Sequence, residues 1–537
     1  MVKKLSAKIN GIGMSDAEII DAILEARGID DIGSFLRPSS DALIPFEEMD
    51  GLEEAYRVID DAITMGEKFL VLADVDTDGV TSAAIITRYL RKCGVEVECV
   101  INEGKKHGAE GFDLSLLEDV GVMIIVDSLN NDPTVYQRIL DAGVRLIVFD
   151  HHIVGQELLD ANLDFVLVSS ANDYPNDQLS GAGVVMKFVL YYDYMNLTDY
   201  ANDLWAYAAI GLIADMSSMA VPENRYIAYR GLAQFKNPVV QKMVGNYCFD
   251  SQSVSFSIGP LVNAAMRMSE NEKAMNVFLE DDIDEIDNIV LGLKDCRERQ
   301  NEVVAQLLDG LLEQGEIQLD RKCMFFVLED DTDAEISGLL GNKLLQEYQR
   351  PLFILKLKNG QYCGSMRSVG TDNFLEVANG TGLCLCQGHP NAAGAFIDED
   401  KFESFKEVIE EELRDVEFSI NVEADIEIEA SQVNENLIKQ LNAINRISGS
   451  GFAPVKVLIR TNDYKVDTFS SKKHLKVVDN KTDVIIVKWN TDVWKTMTND
   501  KPLVAVGTLA NPFYGRKKFL QLTIDEYTQQ NDYEVTI

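Results

Sequence analysis

Four groups of acids stand directly behind apolar runs. Lys68–Ala73 (KFLVLA) leads into Asp74, Asp76 and Asp78, and Val122–Val126 (VMIIV) into Asp127. Val144–Phe149 (VRLIVF) leads into Asp150, His151 and His152, and the apolar segment WAYAAIGLIA ends at Asp215. The chain has five histidines, and two of them adjoin behind a buried run and an aspartate. So many carboxylates in one crevice repel one another unless cations neutralise them. Oxygen-rich ligands with one or two histidines suit Mn²⁺ or Mg²⁺ better than a cysteine-rich zinc site. The set is large enough for two ions sharing a bridging carboxylate, and two ions about 4 Å apart are the usual clamp for in-line attack on a phosphate. Taken singly, DxDxD also suits a solvated turn or a calcium-like loop, and Asp-His-His a helix cap with a satisfied histidine. Four clusters behind four elements favour a dinuclear metal site. Gly79, Thr81 and Ser82 open a helix whose free N–H groups favour an anion, a pattern that an ordinary N-cap also satisfies.

The elements that must position these acids alternate regularly. Short apolar runs at 68–73, 95–101, 122–126, 144–149 and 164–168 read as strands, and 80–93 and 134–142 as helices. Continuous apolar strands alternating with helices predict a parallel sheet covered on both faces. In such a sheet ligands bind at the carboxyl ends of the strands, where the acids stand. Residues 1–65 read as helical and acidic. Asp282–Glu316 reads as one long amphipathic helix, a rigid spacer. A second α/β pattern follows, with a strand at Cys323–Leu328, a helix at Glu335–Tyr348 and a strand at Pro351–Leu357. From about 418 onward β-branched residues and turns predict a mostly β module with one helix near Val433–Ile444. The expected organisation is an N-terminal helical segment (1–50), a parallel-sheet catalytic domain (51–270), a long connecting helix (271–318), a smaller α/β domain (319–416) and a C-terminal β module (417–537).

Composition narrows the function. Of 537 residues 46% are hydrophobic and 26% charged, as in ordinary globular proteins, but the net charge is −39. That surface repels nucleic acid and anionic membranes at long range, so a nucleic-acid site must be a local basic groove or a metal site. Eight scattered cysteines without a CxxC pair fit a reducing cytoplasm. The start MVKKLSAKINGIG lacks the apolar core of a signal peptide, and no run approaches about 18 apolar residues, so no membrane association is expected.

The motif order VDTDGVTS, VDS, FDHH resembles that of the DHH phosphoesterases. The remainder is similar to the RecJ branch, the single-strand-specific exonucleases. EGFDL (110–114), LSGAGVVMKF (179–188), AAIGLIADM (208–216) and IGPLVNAAMRM (258–268) resemble motifs of that branch. ISGLLGNKLLQEYQRPLFIL, CGSMRSV and GHPNAAGAF resemble a DHHA1 domain. KKHLKVVD (472–479) and VAVGTLANPFYGRKKFLQLTIDEY (504–527) resemble the branch's oligonucleotide-binding (OB) module. The chain departs at Leu72, at Ser128-Leu129, at Leu261 and Met266, and at Gln387-Gly388-His389, where Gly-Gly-His is usual.

The resemblance implies a 5′→3′ exonuclease releasing 5′-mononucleotides from single-stranded DNA in recombination and repair, with two Mn²⁺ or Mg²⁺ ions. It assigns one ion to Asp76 and Asp127 with Asp74, and the other to Asp78, Asp127, His151 and Asp215. Asp150 would orient an imidazole, and His152 would contact the phosphate or the leaving oxygen. For substrate it implies Lys105 and Lys106 at the 5′ end, Asn263 and Arg267 near the scissile group, and Ser365, Arg367, Ser368, Gly388 and His389 on phosphates of the DHHA1 domain. In the β module it implies Lys472, Lys473, Lys476, Arg516, Lys517 and Lys518 with Phe513 and Tyr514; Phe519 reads rather as module core. A helicase or single-strand-binding protein supplying ends and a monomeric state complete the expectation. Two other readings stay open: a phosphodiesterase of short RNAs or cyclic dinucleotides, against which the β tail argues, and a non-catalytic replication scaffold, against which the retained acids argue.

Overall fold

The computed structural model describes residues 2–102, 108–171, 173–314, 321–329, 336–371, 373–416, 419–468, 474–489, 491, 497–514 and 517–529. Two compact units emerge: Leu24–Glu298 with Gln440–Pro454, and Met1–Ile23 with Arg299–Lys439 and Val455–Ile537.

The first ten residues correct the expected helical segment over 1–50. β1 (Val2–Asn10) is a strand, paired in parallel with residues 419–427. Leu5 and Ala7 are buried while Lys4 and Lys8 are exposed, a period of two that belongs to a strand. Helices begin only at Asp16–Ala26 and Ile32–Leu36.

In the unit formed by Leu24–Glu298 and Gln440–Pro454, five parallel strands make the sheet: β2 (Lys68–Ala73), β3 (Val97–Ile101), β4 (Val120–Val126), β5 (Arg145–Asp150) and β6 (Val166–Ser169). Their order is β3-β2-β4-β5-β6. Leu70, Leu72, Met123, Ile125, Leu146 and Val148 bury one face against Tyr136, Ile139 and Leu158. The strands read as unbroken apolar runs because helices cover both faces. The chain runs from β2 to β3 on one side and then from β3 back to β4 on the other, so order reverses at β2, and a crevice opens at the carboxyl ends of β2 and β4. Ala73 pairs with Val126, which sets Asp74 beside Asp127. The helices Thr77–Lys92, Gly181–Asn196 and Trp205–Ala214 pack on one another around this end.

The helix Ile283–Gln314 runs 32 residues, about 48 Å at 1.5 Å per residue. In the other unit β7 (Met324–Leu328), β8 (Leu352–Lys358), β9 (Gln361–Arg367), β10 (Leu385–His389) and β11 (Ala392–Asp398) form a sheet ordered β10-β11-β9-β8-β7, in which only β7 and β8 run parallel. Phe353, Phe374, Phe405 and Ile409 fill its core. β12 (Ser419–Glu429), β13 (Val457–Thr461), β14 (Tyr464–Thr468), β15 (Leu475–Asp479), β16 (Ile485–Lys488), β17 (Leu503–Ala510) and, after the hairpin β18 (Phe513–Tyr514) and β19 (Lys517–Lys518), β20 (Gln521–Thr528) complete the fold. Seven of these strands join β1 in the order β1-β12-β13-β17-β20-β16-β15-β14, a strand-rich sheet consistent with an OB-like module. The expected helix is there, at Glu435–Asn445. All eight cysteines are free thiols, and among the described residues no helix is long and apolar enough to cross a membrane.

Candidate active site

The acids collect at the crevice because each stands where an element ends or begins there. Asp74 follows β2 and accepts a hydrogen bond from Ser128 Oγ at 2.8 Å. Asp76 is the N-cap of Thr77–Lys92, its Oδ1 accepting from Gly79 N at 2.8 Å. Asp78, 1% exposed, lies in the first turn of that helix, facing the start of another. It accepts from Ser180 Oγ (3.0 Å), Gly181 N (2.7 Å) and Ala182 N (3.1 Å), donors at the N-terminus of Gly181–Asn196. Asp127 follows β4 in a left-handed conformation (φ 58°), its N–H donating to Phe149 O at 2.8 Å. Asp150 ends β5 fully buried, and its two oxygens accept from Leu129 N, His151 N, His152 N and His152 Nδ1 at 2.6–2.7 Å. Asp215 caps the C-terminus of Trp205–Ala214.

Three sets of ligand atoms come within 4.8 Å of one another: Asp74, Asp76 and Asp127; Asp78, His151 and Asp215; and Asp127, His151 and His152. Asp127 belongs to two of them. Its Oδ1 is buried and accepts no hydrogen bond, although His151 Nε2 lies 3.2 Å away, out of line for one. A carboxylate oxygen and an imidazole nitrogen facing one gap without bonding each other are the donor set of a divalent cation. The glycines round the acids leave no room for a side chain. A Cβ on Gly181 would stand 2.6 Å from Asp127 Oδ1, and one on Gly211 2.3 Å from Asp78 Oδ1.

Without cations the cluster resists ionisation. Burial pushes Asp76 up to about 6, with Asp74 and Asp215 adding repulsion. Burial first, then neighbouring carboxylates, raises Asp78 and Asp127 well above the usual carboxylate range. Burial also raises Asp215 and lowers His151, which keeps the His151 imidazole neutral and able to ligate. Asp150 departs from this pattern: burial opposes its charge, but the bonds and charge of His152 hold it below the ordinary value. The same hydrogen bond raises His152 to about 9. Asp150 thus orients His152, whose side chain is 57% exposed.

Of the other expected residues, Asn263 joins the cluster, its Oδ1 3.4 Å from the hydroxyl of Thr77. Arg267 ends the same helix, Gly259–Arg267, half-buried. Lys105, Lys106, Lys472, Lys473 and Arg516 lie outside the described residues. In the β7–β11 sheet, Arg367, Ala392 and His389 share one cross-strand row, and Ser365, Gly394 and Gln387 the next but one, so Arg367, His389 and Ser365 sit on one face. Arg367 Nε donates to Asn342 Oδ1 at 2.9 Å, and Ser365 Oγ lies 2.8 Å from Ser337 Oγ. Gly388, at φ 139°, holds a conformation that side chains rarely adopt. Ser368 is buried, and its hydroxyl lies 2.9 Å from Thr371 Oγ1. Lys517 is exposed, 5.1 Å above the Phe519 ring, and Phe519 is half-buried, not core. Lys476 and Lys518 pair with Asp467 and Glu435. Sequence reasoning missed Ser128, Ser180, Gly181 and Gly211 as the surroundings of the acids. Their only sequence signal is a small residue opening a helix or interrupting an apolar one.

Comparison with known proteins agrees with this geometry. The model of the DHH family, N-terminal domain, matches residues 68–212, and that of the DHHA1 domain matches 320–415. A putative SPbeta prophage-derived single-strand DNA-specific exonuclease, YorK, of Bacillus subtilis is 26% identical over 459 residues, covering 78% of this chain and 79% of that one. The single-stranded-DNA-specific exonuclease RecJ of Bacillus subtilis is 25% identical, over 80% of this chain and 57% of its own length. The crystal structure of Thermus thermophilus RecJ in complex with Mn²⁺ shares the fold, with a TM-score of 0.78 and 22% identity over 99% of this chain and 80% of that one. The chain thus carries a DHH domain followed by a DHHA1 domain, and along most of its length it is similar to RecJ-type single-strand-specific exonucleases.

Proposed function

We propose that this protein is a single-stranded-DNA-specific 5′→3′ exonuclease that hydrolyses phosphodiester bonds with two Mn²⁺ or Mg²⁺ ions and releases 5′-mononucleotides. The observation that carries the reading is the buried Asp127, which belongs to two of the ligand sets and whose Oδ1 accepts no hydrogen bond. Asp74, Asp76 and Asp127 hold one ion, and Asp78, Asp127, His151 and Asp215 the other. When bound, the ions supply positive charge against the phosphate and make water a nucleophile near neutral pH.

The chain's own groups do the rest. Breaking the bond between phosphorus and the 3′ oxygen of the terminal nucleotide leaves that oxygen in need of a proton. His152, fixed at Nδ1 by Asp150, offers Nε2–H for it. Asn263 stands beside the cluster to bind a phosphate oxygen. Arg367, on the same sheet face as His389 and Ser365, suits bidentate phosphate contact. The domains are read as 51–270 for catalysis, 271–318 as connector, 319–416 for phosphate binding and 417–537 for single-strand binding, joined by β1. Free cysteines support a cytoplasmic enzyme. It acts as a monomer on ends opened by a helicase or held by a single-strand-binding protein.

The test is digestion of 5′-labelled and 3′-labelled single-stranded oligonucleotides with Mn²⁺, beside Asp127→Ala. Immediate release of the 5′ label as a mononucleotide, absent in the variant, supports the proposal. Cleavage confined to oligonucleotides of a few residues, or binding without cleavage, overturns it.

A further inference from the structure

Asp215 stands at the head of a loop held from behind by two remote parts of its own unit. The chain turns at Met216 (φ 62°) directly after Asp215 and continues into residues 217–219. The first support is Asn224, which is completely buried. Its Nδ2 donates to Ser218 O at 3.1 Å and to Gln178 O at 2.8 Å, and its Oδ1 accepts from Asn176 Nδ2 at 2.8 Å. Gln178 lies two residues before Ser180, whose hydroxyl donates to Asp78. One amide therefore ties the peptide three residues after Asp215 to the peptide that opens the Asp78 clamp. Both its donors and its acceptor are used, so no other side chain of this size replaces it.

The second support is a strap, residues 446–452, that comes from far along the sequence. Ser450 O accepts from Met219 N at 2.8 Å. Arg225 Nη1 donates to Ile447 O at 2.9 Å and approaches Met219 O at 3.5 Å. Gly451 sits at φ 68°, and a Cβ there would lie 2.0 Å from Ser218 Oγ.

We propose that Asn224, backed by the Gly451 strap, is a positioning residue that sets Asp215 relative to Asp78 and so sets the affinity of the second metal site. This rests on the reading of the acid cluster as a metal centre. Groups that orient ligands typically change metal affinity 10–100-fold when removed. A residue serving stability alone lowers the melting temperature and leaves the affinity of the folded protein intact.

The experiment titrates Mn²⁺ into the full chain by electron paramagnetic resonance, with a thermal melt and steady-state kinetics on a single-stranded oligonucleotide. Asn224→Ala is expected to weaken one of two Mn²⁺ sites at least tenfold, and to lower kcat while the KM for the oligonucleotide stays within twofold. Tyr174→Phe removes the hydroxyl that donates to the Glu223 carboxylate in the same buried network without touching Asn224, and is expected to lower the melting temperature with Mn²⁺ affinity unchanged. Gly451→Ala is expected to weaken the same site, and Gly451→Ala with Ser218→Ala to restore part of it, since the 2.0 Å contact is with the hydroxyl. Wild-type affinity in folded Asn224→Ala, or an equal loss in Tyr174→Phe, overturns the proposal. If Asn224→Ala does not fold, the Gly451 pair decides, and absence of rescue overturns it. Failure of the wild type to bind two Mn²⁺ ions would instead refute the metal-centre reading itself.

Discussion

Gly181→Ala adds one methyl group at the centre of the site and separates activity from stability. Gly181 is the first residue of its helix, and its N–H donates to Asp78 Oδ2 at 2.7 Å. The new Cβ would stand 2.6 Å from Asp127 Oδ1 and 2.8 Å from its Cγ, where ordinary contact begins at 3.4 Å. Asp127 or the helix start must therefore move by about 0.8 Å at the oxygen proposed to bridge two ions. A misplacement near 1 Å in a catalytic constellation costs roughly 100-fold in rate. The stability change is smaller because two terms oppose. Overpacking costs about 1–3 kcal/mol, while alanine for glycine in a helix returns about 0.5–1 kcal/mol. The net, about 0–2.5 kcal/mol, lowers the melting temperature by under roughly 10 °C. Exonuclease rate with saturating Mn²⁺, Mn²⁺ titration and a thermal melt on the same preparation give the answer. Activity within threefold of wild type, with unchanged Mn²⁺ affinity, would refute the argument that the glycine cradles the Asp127 carboxylate.

Three further outcomes follow from the same geometry. Asp76 has its folded pKa raised from 3.8 to about 6, so it supports the fold only while protonated. That contribution is complete below pH 3.8 and is lost as pH rises through about 6. Asp76→Asn keeps an N-cap and avoids the buried charge, so in chelator it melts higher than wild type above pH 6, by up to about 3 kcal/mol, with the gain gone near pH 4. Lys187 and Glu223, almost fully buried and 2.9 Å apart, form an ion pair in which Lys187→Met strands the glutamate. Chemical denaturation should show a loss of about 3–5 kcal/mol, partly recovered by adding Glu223→Gln. Arg367→Lys removes the planar fork that the structure orients through Asn342, and should raise the KM for single-stranded DNA about tenfold with kcat unchanged in steady-state assays.

The sheet and the acids were legible because both are local signals. KFLVLA, VMIIV and VRLIVF are unbroken apolar runs, and the acids directly behind them can only stand at strand ends. The DHHA1 sheet and the long helix were legible for the same reason of period and length. β1 was not: its alternation is short, and what makes it a strand is a partner more than 400 residues away. The carboxylate supports were hidden likewise. Ser180 meets Asp78 across 102 residues, and Ser128 meets Asp74 across 54. The Ser368–Thr371 contact was hidden too, because a serine beside an arginine looks the same whichever neighbour its hydroxyl meets.

The pairing of β1 with β12 also sets a timetable. β1 is translated long before its partner, which begins at residue 419. At roughly 5–20 residues per second the partner arrives about 20–85 s later. For that interval β1 is an unclaimed edge, and Lys4 and Lys8 on its exposed side discourage pairing with a stranger. The strap behind Asp215, residues 446–452, is translated later still. A nascent chain therefore carries every acid of the crevice well before it carries the segment proposed to fix Asp215.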